Sequence, residues 1–355
     1  MKKAVLLTSI PSPYMVELID AVNSVGRWVI TPLYERLSSQ GRRWNMPVLK
    51  HNYVVLEDQG CETIEKIIHD ADLVVMGTLW GKNSDMVLRC QKKYLKPLVF
   101  WGERPGAMCR NFIANAIRPL LLSRRFGHAQ AVWGIGEWAV EEYRRCMPSI
   151  KYFANMPYAS DLTPYFNIVR REDKNNEKPV RVLYSGALIY RKGVDLLILA
   201  FLKLLSKGYD ASLTLMGHGE LEMKLKKMVH EKYKDKIKFI GFKEWHELPE
   251  IYAGHDLLLA PSRYDGWGLI VVEGLAAGMP VVATNMMGSA IDFLKNKENG
   301  WTIPAGDADS LFSALEAALK APLSEMGKTA RASVENWTLD KAAKRWCDLA
   351  DSVVK

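Results

Sequence analysis

The sequence lacks several features that would assign it to a class at once. Its five cysteines, Cys61, Cys90, Cys109, Cys146 and Cys347, are odd in number and never form a CxxC pair. This excludes a disulfide framework and a cysteine zinc site, and it fits a reducing, cytoplasmic setting. No run reaches the roughly eighteen apolar residues that a spanning helix needs. The best candidate, residues 194–205, is twelve long and contains Asp195 and Lys203. No internal period of a solenoid or propeller is present either. The basic, apolar start MKKAVLLTSI has no small-residue cleavage site after it and is expected to be a first strand of the fold rather than a leader.

What is present is ordinary globular composition: 355 residues, 48% hydrophobic and 25% charged. That length predicts two domains, each large enough to bury a core. The net charge of +8 is uneven. Residues 1–178 hold 25 Lys and Arg against 18 Asp and Glu, whereas residues 179–355 hold 23 against 22. An excess of +7 in the first half attracts phosphate, anionic membrane or nucleic acid without choosing among them. Nucleic acid is the least supported partner, because the basic residues are dispersed and no recognised binding motif occurs.

Short β-branched or aromatic runs alternate with amphipathic stretches along the chain, which predicts α/β domains with parallel sheets. In the first half, strands are expected at residues 3–9, 28–34, 53–56, 72–76, 97–101 and 131–133. Helices are expected at 13–25, 83–94 and 109–126. The polar stretch DLTPYFNIVRREDKNNEKP interrupts the pattern, after which it restarts at residue 180. The expected organisation is a first domain over residues 1–165, a linker over 166–179 and a second domain over 180–335. A last helix over 336–355 would cross back to the first domain. Ligands of such sheets bind at the carboxyl ends of the strands.

Three strand ends in the second half carry possible chemistry. In APSRYDGWGLIVVEGLAAGMPVVAT a buried strand gives way to a loop with Gly266 and Gly268 and then a helix, an arrangement suited to holding a phosphate. Asp265 precedes that helix and Glu273 lies within it. Taken alone, such a pair also fits a helix cap and a solvated acid. In LYSGALIYRKGVD, Arg191 and Lys192 stand before Gly193 and could clamp a diphosphate or form a solvated turn. In LMGHGELE, Gly217 and Gly219 would let a ligand approach the backbone, and no second histidine is spaced to share a metal with His218.

Together and in this order, these segments resemble the donor domain of the family 4 glycosyltransferases. SGALIYRKGVDLLILAF resembles the Gly-x-Leu-x-x-x-Lys-Gly-x-Asp segment, LTLMGHGELEMKL the Gly-x-Gly segment, and the block from IKFIGF to MPVVAT the signature block; residues 180–320, about 40% of the chain, are covered. The resemblance implies a GT-B fold, with two Rossmann-like domains facing each other across a cleft. It also implies sugar transfer from a nucleotide-diphosphate sugar with retention of configuration, with no cofactor and no metal. It places Lys192 on the diphosphate, Glu273 on the ribose and Asp265 near the donor sugar. Gly186, Gly217, Gly219, Gly266, Trp267, Gly268 and Leu269 would line the donor, and Phe242 would lie near the base. Asp265 stands where the family usually has Glu, which bears on donor-sugar preference. Ala187 stands where many members have Arg, a charge that Arg191 could replace.

In the first half the resemblance is fainter. Pro13 and Tyr14 after the first strand, and Glu103 and Arg104 after the strand at 97–101, are candidates for the acceptor or donor-sugar side. Glu103 and Arg104 could equally form a loop ion pair. The helix at 109–126 carries Arg110, Arg118, Arg124 and Arg125 among Ile113, Ile117, Leu120 and Leu121. Its apolar stripe could face the core or lie on an anionic membrane. The two Asp-x-Asp sequences, at residues 70–72 and 307–309, are expected to be a helix-to-strand joint and a helix N-cap rather than metal sites. The reading is therefore a cytoplasmic enzyme, peripheral on the inner membrane face, that acts on a glycan or lipid-linked acceptor in cell-surface polysaccharide or lipopolysaccharide synthesis. The alternatives are a GT-B nucleotide-sugar epimerase and a non-catalytic nucleotide-sugar-binding protein.

Overall fold

The structure, a computed structural model, describes residues 1–38, 45–58, 60–105, 112–170 and 179–355. The chain divides into two units, Met1–Asp161 with Trp337–Lys355, and Leu162–Asn336.

The first unit is built on β1 (Lys2–Thr8), α1 (Pro13–Ser24), β2 (Trp28–Tyr34), β3 (Val54–Val55), α2 (Cys61–His69), β4 (Leu73–Met76), α3 (Lys82–Lys93), β5 (Leu98–Gly102), α4 (Phe112–Phe126), β6 (Ala131–Gly134), α5 (Glu137–Cys146) and β7 (Tyr152–Asn155). Its seven strands run parallel in the order β3-β2-β1-β4-β5-β6-β7. β4 and β6 are buried along their whole length, as strands covered on both faces must be. The apolar stripes of α2, α3 and α5 close over one face, where Ile64, Ile68, Val87 and Tyr143 join Val74, Leu98 and Val132 in a single core. Helix α4 begins at Phe112; Cys109 and Arg110 of the helix expected from residue 109 lie outside the described residues.

The last helix, numbered α14 in chain order (Leu339–Val353), is part of this unit. Trp346 is fully buried edge-on against Trp28 and Trp133, at centroid distances of 5.9 and 5.6 Å. Asp351 pairs with Lys2 at 3.0 Å and with Arg27, and it accepts the Trp28 indole N–H at 3.1 Å. The helix thus combines an apolar anchor with a charge clasp.

The second unit runs α6 (Thr163–Phe166), β8 (Val180–Ser185), α7 (Val194–Ser206), β9 (Ala211–Met216), α8 (Glu222–Met228), β10 (Ile237–Gly241), α9 (Leu248–Ala253), β11 (Leu257–Ala260), α10 (Leu269–Ala276), β12 (Val281–Thr284), α11 (Gly288–Phe293), β13 (Gly300–Ile303), α12 (Ala308–Leu319) and α13 (Leu323–Val334). Six parallel strands follow the order β10-β9-β8-β11-β12-β13. The order reverses at the β8/β11 pair, where Leu257, Leu258 and Leu259 lie beside Val182, Leu183 and Tyr184. That reversal is a topological switch point, and ligands of open parallel sheets bind at the strand ends beside such a point.

Residues 162–170, placed by the sequence pattern at the end of the first domain and the start of a linker, belong to the second unit. Arg170 donates to the Ala277 carbonyl at 2.6 Å and to that of His255, Arg331 donates to the Ile168 carbonyl, and Tyr165 packs edge-on against Tyr252 at 5.2 Å. Burial pulls the Arg170 guanidinium down to about 10. The segment is thus anchored twice, by Arg170 on backbone carbonyls and by the buried Leu162, Tyr165 and Ile168.

Candidate functional site

Backbone contacts bring three strand-end loops of the second unit together. After β8, Gly186 N–H donates to the Met216 carbonyl at 3.0 Å and Leu188 N–H to that of His218 at 2.9 Å, so this loop lies on the one after β9. Gly217 has φ +139°, and a Cβ there would sit 1.8 Å from the Gly186 carbonyl oxygen. Only glycine permits that approach. On the other side, Gly193 has φ +68° and a Cβ would fall 2.0 Å from the Pro261 carbonyl oxygen, while Arg263 N–H donates to the Arg191 carbonyl at 2.8 Å. The turn at Tyr190–Lys192 is thereby held against the loop after β11.

The charges of the site gather at that seam. Lys192 Nζ donates to Asp265 Oδ2, and an Arg191 guanidinium N–H donates to Asp265 Oδ1 at 3.3 Å and to the Tyr264 carbonyl at 3.0 Å. Two cations therefore share one carboxylate, leaving a local excess of one positive charge. The Lys192 and Asp265 side chains are only 15% and 14% exposed, so water screens the pair poorly. A second pair fixes the turn itself. Arg263 binds Asp195 through two bonds of 2.7 Å, donates to the Tyr190 carbonyl at 2.7 Å and lies 3.9 Å over the Tyr190 ring. Burial alone would raise the Asp195 carboxyl. The bonds and charge of Arg263, with the N–H groups of Asp195 and Leu196, instead hold it below the ordinary aspartate range.

Helix α10 starts at Leu269 beyond Gly268, and its first N–H groups supply partial positive charge beside the cations. The turn through Gly266, Trp267 and Gly268 is braced from behind. Trp267 is buried against Phe293, and Ser289 Oγ donates to the Trp267 and Gly268 carbonyls at 2.7 and 2.8 Å. Glu273 is the fifth residue of α10, and its Oε2 accepts the Tyr252 hydroxyl at 3.1 Å. Tyr252 is fully buried; burial foremost, and then the Glu273 charge, push its phenol well above the usual range, so it is a fixed donor. Phe242 is 39% exposed just after β10, where the Gly241 carbonyl accepts Gly217 N–H at 2.8 Å.

The second unit thus gathers Gly186, Arg191, Lys192, Gly217, Gly219, Asp265, Gly266, Trp267, Gly268, Leu269 and Glu273 around the β8/β11 switch point, with Phe242 at the end of the neighbouring strand. The arrangement suits a polyanion bearing hydroxyl groups: cations and helix N–H groups for phosphate, carboxylates for hydroxyls. The first-unit candidates lie at the carboxyl edge of the other sheet. Pro13 opens α1 and Tyr14 packs on Tyr158 at 4.7 Å. Arg104 stacks on the Trp138 ring at 3.4 Å, and the Glu103 carbonyl accepts the Tyr143 hydroxyl at 2.5 Å. The two Asp-x-Asp sequences have structural uses. Asp72 accepts Lys3 N–H at 2.7 Å, and Asp307 caps α12. Among the described residues, no group of three or more His, Cys, Asp or Glu is placed to hold a metal.

Four residues of the site escaped the motif reading. Tyr252 resembled any core aromatic, Ser289 any small residue of a helix, and the Arg263–Asp195 pair spans 68 residues. Only Asp195, as the last residue of the Lys-Gly-x-Asp segment, carried a signal.

Comparison with known proteins agrees with this geometry. Residues 166–336, just under half of the chain, match the family model for Glycosyl transferases group 1. A curated relative, an uncharacterized glycosyltransferase of Methanocaldococcus jannaschii, is 32% identical over 125 residues, covering 35% of this chain and 32% of its own. The amylovoran biosynthesis glycosyltransferase AmsK of Erwinia amylovora is 29% identical over 157 residues, 42% of this chain and 38% of its own. The chain therefore spans about a third of the length of these curated relatives. Among solved structures, HepE of Anabaena in complex with UDP superposes with a TM-score of 0.75 at 16% identity, covering 99% of this chain and 100% of that one. The fold is GT-B, two parallel-sheet α/β domains.

Proposed function

We propose that this protein is a retaining, metal-independent glycosyltransferase that moves a hexose from a nucleotide-diphosphate sugar to a glycan or lipid-linked acceptor. Its place would be cell-surface polysaccharide or lipopolysaccharide synthesis, at the inner face of the membrane. The observation that carries this reading is the meeting of Lys192, Arg191 and Asp265 ahead of α10, with Glu273 held on that helix by Tyr252. The group 1 family match, the polysaccharide role in the name of AmsK and the UDP in the HepE structure support it.

In this reading the diphosphate lies against Lys192, Arg191 and the α10 N-terminus, Glu273 accepts the ribose hydroxyls and Asp265 orients the sugar. Phe242 lies beside the base. The bond between the anomeric carbon and the diphosphate oxygen breaks, and the cations stabilise the departing charge. The acceptor hydroxyl adds to the same face, and its proton passes to a phosphate oxygen of the leaving group. Pro13, Tyr14, Glu103 and Arg104 of the first unit are assigned to the acceptor or donor-sugar side.

The test is a panel of UDP-, GDP-, ADP- and dTDP-sugars incubated with the protein, with nucleotide release measured and sugar products resolved by NMR. Release from one donor, with transfer at retained configuration, supports the proposal. A new nucleotide-sugar with no release indicates an epimerase, and binding without turnover a non-catalytic protein.

A further inference from the structure

Helix α4 of the first unit combines two properties that rarely occur together on a free surface. On its inner face Leu122 and Phe126 are fully buried in the core with Phe100. On its outer face Ile117, Leu120 and Leu121 are 47%, 70% and 42% exposed, the two leucines each about one turn from Ile117 on a single stripe. Trp80 extends the stripe: it is 51% exposed, and the Arg125 guanidinium, one turn beyond Leu121, lies 4.9 Å over its ring. Large apolar side chains grouped in this way mark a contact surface, whereas single exposed ones do not.

The charge carried by the helix and its flanks in sequence is basic, and the acid that meets it, Asp85 of α3, is paired with Arg125. Residues 104–136 contain Arg104, Arg110, Arg118, Arg124 and Arg125 and no Asp or Glu at all. Arg125 is committed to Asp85 at 2.6 Å, and Arg124 is exposed on the same side as Leu120 and Leu121. No described helix is long and apolar enough to cross a membrane, so the stripe is suited to lying on a bilayer rather than in it. Exposed leucines flanked by arginine, with a tryptophan at the margin, are what an interfacial helix needs: the apolar groups enter the acyl boundary and the cations meet lipid phosphates.

We infer that the Ile117–Leu120–Leu121 face of α4, with Trp80 and Arg124, docks the first unit on an anionic lipid surface. The contact rests on apolar exposure and charge alone and exists whether or not the second unit transfers sugar. It would keep the protein beside a lipid-linked acceptor without a spanning segment.

Vesicles of phosphatidylcholine with phosphatidylglycerol, and of phosphatidylcholine alone, are the probes, with sedimentation of the full chain as the readout. Wild type is expected to sediment with the anionic vesicles only, and less so as salt rises. Leu120→Ser/Leu121→Ser should reduce binding by about tenfold or more. Arg124→Glu should reduce it by about fivefold or more. Thermal unfolding unchanged in both variants would show that the core is intact. Absence of wild-type binding, equal binding by variants and wild type, or burial of this face in a dimer that Leu120→Ser/Leu121→Ser dissociates would each overturn the inference.

Discussion

Lys192 and Asp265 neutralise each other: the ammonium of the turn after β8 donates directly to the carboxylate of the loop after β11, with Arg191 3.3 Å from the other oxygen. In the proposed function a diphosphate entering the site would compete with Asp265 for these cations. Nucleotide binding would then release the carboxylate that the proposed reaction needs for the sugar.

This competition predicts opposite effects of Asp265→Asn on two measurements. Without its counter-charge the cation pair should bind nucleoside diphosphate more tightly, by about fivefold, as calorimetry would show. Turnover of the nucleotide-sugar should fall by about a hundredfold or more. A parallel loss of binding and turnover would mean that Asp265 only builds the loop.

Tyr252→Phe removes the hydroxyl that fixes Glu273 while keeping the ring in its packed place. The expected result is a KM for the nucleotide-sugar raised about three- to tenfold with kcat little changed, because the lost interaction orients a binding group. A fall in kcat alone would assign Tyr252 to the chemical step.

Asp195 gives the site a pH-dependent brace. Its carboxyl is held below the ordinary range in the folded protein, so the Arg263 pair contributes fully at neutral pH and is lost as pH falls through the folded-state value. Asp195→Asn should cost about 1–2 kcal/mol at pH 7 and progressively less in acid. Denaturant unfolding at several pH values measures this, and a constant difference would contradict it.

The charge at the seam comes from Lys192 and Arg191, and the proposed reaction needs no divalent ion. Excess chelator should leave the rate of nucleotide release unchanged, and restoration of a lost rate by added magnesium or manganese would refute this.

Much of this architecture was legible in the sequence because its signals are local. A four-residue run such as Leu257–Ala260 is apolar throughout because both faces of β11 are covered, and Gly193 and Gly217 mark places where one backbone crosses another closely. Pairs formed by folding were not legible. Tyr252 and Glu273 lie 21 residues apart, and neither a helical period nor a motif links them. The segment around α6 escaped because Arg170 fastens it through backbone carbonyls, which leave no trace in composition. In α4 the amphipathic pattern was visible, but which apolar residues turn inward is decided by packing: Leu122 and Phe126 do, while Leu120 and Leu121 do not.

The central claim is that the loops at the β8/β11 switch point form a nucleoside diphosphate site, and the most direct test is calorimetric titration of UDP, GDP, ADP and dTDP into wild type, Lys192→Ala and Glu273→Gln. One nucleotide should bind wild type and lose about tenfold or more in affinity in each variant, through the phosphates in the first and the ribose in the second. Absence of binding by all four, or binding that both variants retain at full strength, would contradict it.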